Sequence, residues 1–237
     1  MALLEARGLA YDYPDGHRAL GGIDLTIEAG ARTAIAGANG SGKSTLLLLL
    51  SGCLAPKAEG IILRGEAAKP DGLREQVGLV FQEPDDQLFM PSVLEDVAFG
   101  LVARGLEQGA AKRRAATELD RFGIAHLAER PPHRLSGGEK RVVALCGILV
   151  TQPEIVVLDE PSSSLDPRAR RKLIEILRTV DRTLIVATHD LDMALELCDT
   201  VFLLNEGRGV AFGPATDLLS DEKLLRENGL ELPLSAL

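Results

Sequence analysis

Gly37-Ala38-Asn39-Gly40-Ser41-Gly42-Lys43-Ser44, running on into Thr45 and five leucines at 46–50, fits the pattern G-x-x-x-x-G-K-[ST] of a phosphate-cradling loop. Residues 32–36 before it are short and apolar enough for a buried strand, and 44–50 after it suit a helix. The strand–loop–helix context that the pattern requires is therefore expected. The glycines let the backbone curl so that several N–H groups point at one anion, and the loop then opens a helix whose N-terminal dipole favours negative charge. Lys43 is expected at the β- and γ-phosphates, and the Ser44 hydroxyl on Mg²⁺. The plainer alternative is a Gly/Ser turn followed by a surface lysine. Intact spacing between two apolar runs favours the nucleotide site, with Gly37, Asn39, Gly40, Ser41, Gly42, Lys43, Ser44 and Thr45 around the phosphates.

Composition narrows the class. A chain of 237 residues, 46% hydrophobic, can bury a sizeable core as one domain. A net charge of −9 without any lysine/arginine block argues against a nucleic-acid partner. Cys53, Cys146 and Cys198 are odd in number and far apart, and read as small buried residues of a reducing compartment. The start shows no charged n-region followed by an apolar stretch, so no secretion signal is expected. The longest apolar runs, 46–50 and 142–150, fall short of the roughly 20 residues that cross a bilayer. Any membrane contact is expected to run through partners.

Along the chain, residues 2–10 and 23–28 read as two strands of an antiparallel edge sheet around a loop with Pro14, Asp15 and Gly16, where Tyr11 and Tyr13 are placed. A tyrosine there serves equally well to stack on a nucleotide base or to pack on the sheet edge. Two glycine-bounded strands follow at 60–63 and 77–81. Val93, Val97 and Leu101 have helical spacing, and 110–122 forms a charged amphipathic segment, so the stretch before Pro131-Pro132 reads as an inserted helical subdomain. A further helix begins near Gly137. The β-branched runs 155–158 and 183–187, separated by a helix over 167–180 with a basic outer face, imply a parallel sheet covered on both sides. Residues 201–204 and 210–212 read as a closing hairpin.

Two further pieces carry chemistry. The run 155–158 ends in Asp159-Glu160, at the strand end where α/β sheets bind ligands. Asp159 suits the Mg²⁺ shell and Glu160 the attacking water. Leu135-Ser136-Gly137-Gly138-Glu139-Lys140 is a second glycine-bearing helix start, with Ser136 as a good N-cap. In this company the chain resembles the nucleotide-binding subunits of ATP-binding-cassette (ABC) transporters, whose signature is L-S-G-G-[QE]. The resemblance covers nearly the whole chain. Gln82 after the strand 77–81 is similar to the Q-loop glutamine, on the metal and in catalysis. Residues 155–159 with Glu160 resemble the Walker B strand and its catalytic acid, and Ser163-Ser164-Leu165-Asp166 the D-loop. His189 resembles the switch histidine that senses the γ-phosphate, and Tyr13 becomes the base-stacking aromatic.

The resemblance implies an α/β ABC ATPase fold: a P-loop NTPase core with a parallel sheet, an N-terminal antiparallel β subdomain and an inserted helical subdomain. It forms a single domain over 1–237, with 1–83 and 136–237 as the core and 84–135 as the helical subdomain carrying the signature at its end. It implies ATP and Mg²⁺ as cofactors and a head-to-tail homodimer. ATP on the phosphate loop of one copy is covered by Ser136, Gly137 and Gly138 of the other, and in-line attack by water is helped by Lys43, Glu160, His189 and Gln82. The stretches 81–89 and 93–100, with Tyr13-Pro14-Asp15-Gly16 and Asn228-Gly229-Leu230-Glu231-Leu232-Pro233, are similar to the ATPases of cobalt/nickel importers and of energy-coupling-factor vitamin importers. That implies transmembrane scaffold and substrate-capture subunits, a peripheral place on the cytoplasmic face of the cell membrane, and a groove near Phe81, Leu88, Phe89 and Met90 for the scaffold. Many vitamin-type members carry a C-terminal extension where this chain stops at Leu237, which favours cobalt or nickel. His17, His126, His133 and His189 lack ligand spacing, so the ion would be chosen elsewhere. A non-transport ABC ATPase would call for a coiled-coil insertion or tandem cassettes. A phosphate-loop kinase lacks the 135–139 motif, and a GTPase carries a guanine reader absent from this sequence.

Overall fold

Strand β1 (Ala2–Asp12) turns back through Pro14 and Gly16 into β2 (Arg18–Glu28), and the two pair antiparallel. Ile23, Leu25 and Ile27 of β2 are buried and alternate with exposed neighbours, the period of a strand with one face on a core. Both strands are longer than the apolar pattern alone predicts, and Tyr11 lies within β1 rather than in the loop. The computed structural model describes residues 2–56 and 60–236.

Strand β3 (Arg32–Ala36) feeds helix α1 (Lys43–Leu50). Next come β4 (Ile61–Leu63), β5 (Glu66–Ala67), helix α2 (Pro70–Gln76) and β6 (Val77–Val80). Strands β4 and β5 extend the first sheet into the order β2-β1-β4-β5.

The described residues form two compact units. One comprises Met1–Leu79, Glu154–Glu160 and Asp181–Leu237, and the other Val80–Pro153 and Pro161–Val180. In the second unit, α3 (Val93–Ala103), α4 (Gln108–Arg121) and α5 (Gly137–Leu149) are followed by α6 (Pro167–Arg178). Val93, Val97 and Leu101 are buried at their expected spacing, as are Ala111, Ala115 and Leu119 of α4. Helix α6 buries Leu173, Ile174, Ile176 and Leu177 and turns Arg168, Arg171, Lys172 and Arg178 outward.

In the first unit, β7 (Ile155–Asp159) and β8 (Thr183–Thr188) are buried at every position and pair parallel, as continuous apolar strands covered on both faces do. After α7 (Leu191–Leu197), β9 (Thr200–Asn205) and β10 (Arg208–Pro214) close an antiparallel hairpin. Strand β9 also pairs parallel with β3, so the hairpin completes the main sheet, in the order β10-β9-β3-β8-β7-β6. Short helices α8 (Ala215–Leu218) and α9 (Glu222–Glu227) end the unit. Cys146 and Cys198 are buried, and burial pushes the Cys198 thiol up to about 12; Cys53 is exposed, against expectation. Among the described residues no helix is long and apolar enough to cross a membrane.

Asp96 near the start of α3 is buried, and its Oδ1 accepts the N–H groups of Phe89 and Met90, each at 3.0 Å. Desolvation raises its pKa above the ordinary 3.8, against those two hydrogen bonds. A raised folded-state value means that the stability the group contributes is complete below 3.8 and is lost as the pH rises through the folded value. The stability gap between Asp96→Asn and the wild type is therefore expected to shift in favour of the variant from pH 4 to pH 7 in urea titrations. A gap that does not change with pH contradicts this.

Candidate functional site

At the end of β3 the chain has no room for a side chain. A Cβ on Gly37 would stand 2.3 Å from the Leu204 carbonyl and 2.5 Å from Ser41 Oγ. Gly40 and Gly42 then take φ of +79° and +105°, left-handed values that curl the loop before α1. The hairpin turn between β9 and β10 braces it, since Gly207 N–H donates to Ser41 O at 2.9 Å and Gly207 O accepts from Gly21 N–H at 2.8 Å. Asn39 and Gly40 at the tip are exposed, whereas Ser41, Lys43 and Thr45 are buried. The result is the strand–loop–helix unit that the sequence predicts.

The charged groups of the first unit converge on this loop. Lys43, 6% exposed, donates to Gly37 O at 2.8 Å and Ala38 O at 3.1 Å, and its ammonium lies 3.4 Å from Glu160 Oε1. Glu160 follows β7 with φ of +43°, a left-handed conformation that costs a non-glycine residue about 1–3 kcal/mol and persists only where its surroundings hold it. It is held by its N–H on Ala187 O at 2.9 Å. Its Oε2 receives His189 Nδ1 at 2.9 Å and the His189 backbone N–H at 3.3 Å. The His189 ring is 54% exposed, so its Nδ1 contact orients an imidazole that otherwise faces outward. Asp159 is hydrogen-bonded to Ser44, and its Oδ1 is buried without a hydrogen-bond partner among the described residues. Burial raises the Asp159 carboxyl, with Ser44 and Lys43 opposing. Tyr13 reaches the same helix, its hydroxyl 3.0 Å from Thr45 Oγ1 and its ring edge-on to Tyr11. Lys43, Ser44, Thr45, Asp159, Glu160, His189 and Tyr13 are thus brought together in one unit.

Gln82, Ser136, Gly137 and Gly138 belong to the second unit. Ser136 caps α5 in a capping box: its Oγ accepts Glu139 N–H, and Glu139 Oε2 accepts the Ser136 N–H and hydroxyl, both at 2.8 Å. The backbone bond from Ser136 is the main cause holding the Glu139 carboxyl below its ordinary value. The two glycines differ. A Cβ on Gly138 would stand 2.9 Å from Ala169 Cβ of α6, whereas one on Gly137 would meet nothing within 4 Å. Gln82 is exposed, and its carbonyl accepts from Arg141, a buried residue of α5 that the motif reading passes over. The other contact missed is the brace from the Gly207 turn, which the sequence places in a closing hairpin without linking it to the loop. Both make backbone contacts to residues far away in sequence, which no local pattern announces.

Residues 20–163 match the family profile described as ABC transporter. The chain is 49% identical over 238 residues to a putative ABC transporter ATP-binding protein of Geobacter sulfurreducens, covering 98% of this chain and 95% of that protein. It is 44% identical over 242 residues to the energy-coupling factor transporter ATP-binding protein EcfA of Methanothermobacter thermautotrophicus, covering 99% and 78%. The solved structure of cbiO1 from Clostridium perfringens, part of the ABC transporter complex cbiONQ, superposes with a TM-score of 0.83 at 38% identity, covering 95% of this chain and 94% of that one.

The two glycines at the start of α5 predict unequal stability effects. Gly138→Ala forces α5 and α6 apart and is expected to cost about 1–3 kcal/mol, while Gly137→Ala stays within about 0.5 kcal/mol of the wild type or gains slightly. Urea midpoints check the pair; equal losses contradict the geometry.

Proposed function

Because this chain belongs to the ABC transporter family, as an ATPase subunit that hydrolyses ATP to power transport, we propose that its site works as half of a composite centre shared with a second copy. The observation that carries this is the buried pair of Lys43 and Glu160 at the rim of the glycine loop, with the exposed His189 ring held on Glu160. The loop N–H groups, the N-terminus of α1 and Lys43 would hold the β- and γ-phosphates. Glu160 would accept hydrogen bonds from the attacking water, and His189, oriented by Glu160 Oε2, would face the γ-phosphate. Tyr13, anchored through Thr45, would present its ring to the base.

Mg²⁺ fits the donors present. Ser44 and Asp159 offer hard oxygen ligands, and Asp159 Oδ1 has a buried lone pair to spare. When bound, the ion neutralises the phosphate oxygens on which charge develops. Gln82 as a further metal and catalytic residue, and Ser136, Gly137 and Gly138 as the cover over the partner's ATP, rest on the family resemblance. They are supported by the exposure of Gln82, Ser136 and Gly137 and by the open space beside Gly137, a glycine that the fold of one copy does not require.

The proposed cargo is cobalt or nickel, imported through a transmembrane scaffold and a capture subunit, with this subunit peripheral on the cytoplasmic face. The likeness to cbiO1, part of the cbiONQ complex, supports it, and the stretches 81–89 and 93–100 are similar both to cobalt/nickel importers and to energy-coupling-factor importers. The edge-to-face pair Phe89 and Phe99, both exposed, supplies an apolar surface for the scaffold. The relative named EcfA favours a second reading, an energy-coupling-factor vitamin importer.

Glu160→Gln is expected to keep ATP affinity while turnover falls by about 10²–10⁴, and to elute as a dimer on gel filtration in saturating MgATP. Monomeric elution under those conditions, with binding intact, overturns the composite-site reading.

A further inference from the structure

Arg141 is 4% exposed, and none of the roles assigned above uses it. A buried guanidinium is costly unless its N–H groups are met. Here Nη1 donates to Gln82 O at 2.6 Å and Nη2 to Ser163 O at 2.9 Å. Both acceptors are backbone carbonyls, 59 and 22 residues away in sequence. Burial lowers the guanidinium's pKa, with Glu83 opposing, and the group stays charged at any working pH.

The stretch held by Nη2 needs holding. Ser163 precedes Ser164, whose φ of +60° is left-handed for a residue with a side chain. The turn is closed by Leu165 N–H on Ser162 O at 3.2 Å, and Asp166 then caps α6 through the N–H groups of Arg168 and Ala169. Ala169 in turn abuts Gly138. The start of α5, the turn before α6 and the backbone of Gln82 therefore meet at one side chain. In the chain, Ser163 lies three residues beyond Glu160.

We propose that Arg141 is a positioning residue for ATP hydrolysis. By clamping Gln82 O and Ser163 O from the signature helix, it keeps three segments in register: the backbone carrying Gln82, the segment that follows Glu160, and the Ser136–Gly138 helix start. The inference rests on the roles proposed for Gln82, Glu160 and Ser136. A planar fork with two separate N–H groups suits two separate carbonyls, whereas a lysine ammonium donates from a single point.

The test uses the full chain with Arg141→Met, Arg141→Lys and Glu160→Gln side by side. It reads kcat and KM for MgATP, affinity for a fluorescent ATP analogue, urea midpoint, and amide exchange. For Arg141→Met, kcat is expected to fall tenfold or more with nucleotide affinity within twofold of the wild type. Exchange is expected to accelerate several-fold across 82–84 and 161–166 while α1 remains protected. Arg141→Lys is expected to fall between Met and wild type in both kcat and exchange. Should Arg141→Met fail to fold, Arg141→Lys decides: a lowered kcat with a retained midpoint supports the clamp. Wild-type kcat in the folded variants, or wild-type exchange over 161–166, overturns it. Loss of turnover in Glu160→Gln beside full turnover in the Arg141 variants overturns the clamp alone, whereas turnover in Glu160→Gln overturns the site reading beneath it.

Discussion

A lysine buried to 6% exposure must be surrounded by acceptors, because an ammonium stripped of water is tolerated only where oxygens replace its hydration shell. Lys43 finds them in two carbonyls of its own loop and in Glu160. The first demands a tightly curled backbone, hence glycine at 37 and the left-handed glycines at 40 and 42. The second demands that β7 end beside β3's loop, hence a sheet in which both strands flank β8. Glu160 in turn accepts His189 from the end of β8. The charge of the site is thus set by strand ends of a rigid sheet, the arrangement in which dipoles and charges are oriented before any substrate arrives.

The parts of this design visible in the sequence are those dictated by short-range geometry. A phosphate loop needs its glycines at fixed offsets, and fully buried strands must be continuously apolar, so 37–44, 155–158 and 183–187 were legible from residue type and spacing. The helix start at Ser136 was legible for a similar reason, since an N-cap is a local device, whereas its reading as a signature came from the family resemblance. What escaped was long-range. The run 201–204 is equally apolar whether it closes a hairpin or also pairs with β3, and only the fold selects both. Helices α2 and α7, seven residues each, are too short for a periodicity to emerge. Cys53 follows the buried leucines of α1, where its exposure could not be foreseen. Arg141 sits in Glu139-Lys140-Arg141, which in sequence looks like a solvated charged turn of helix; its carbonyl partners are far away along the chain.

The glycines of the second unit separate two kinds of constraint. Gly138 is explained inside one chain, because α6 lies against it. Gly137 has no such reason, and its neighbour Ser136 is exposed with its hydroxyl at the head of a capped helix. A helix N-terminus presented in this way is suited to an anion supplied from outside. The proposed supplier is a second copy carrying ATP on its own phosphate loop, which would make hydrolysis and the separation of the two copies one event.

The most direct measurement of that division mixes two chains, each disabled in a different half of the site. Lys43→Ala cannot hold the phosphates, and Ser136→Arg cannot cover them, so each alone is expected to be inactive. A mixed pair contains one composite site with Lys43 from one chain and Ser136 from the other. MgATP hydrolysis in the equimolar mixture is expected well above the sum of the separate chains; a mixture no more active than that sum would contradict a composite site.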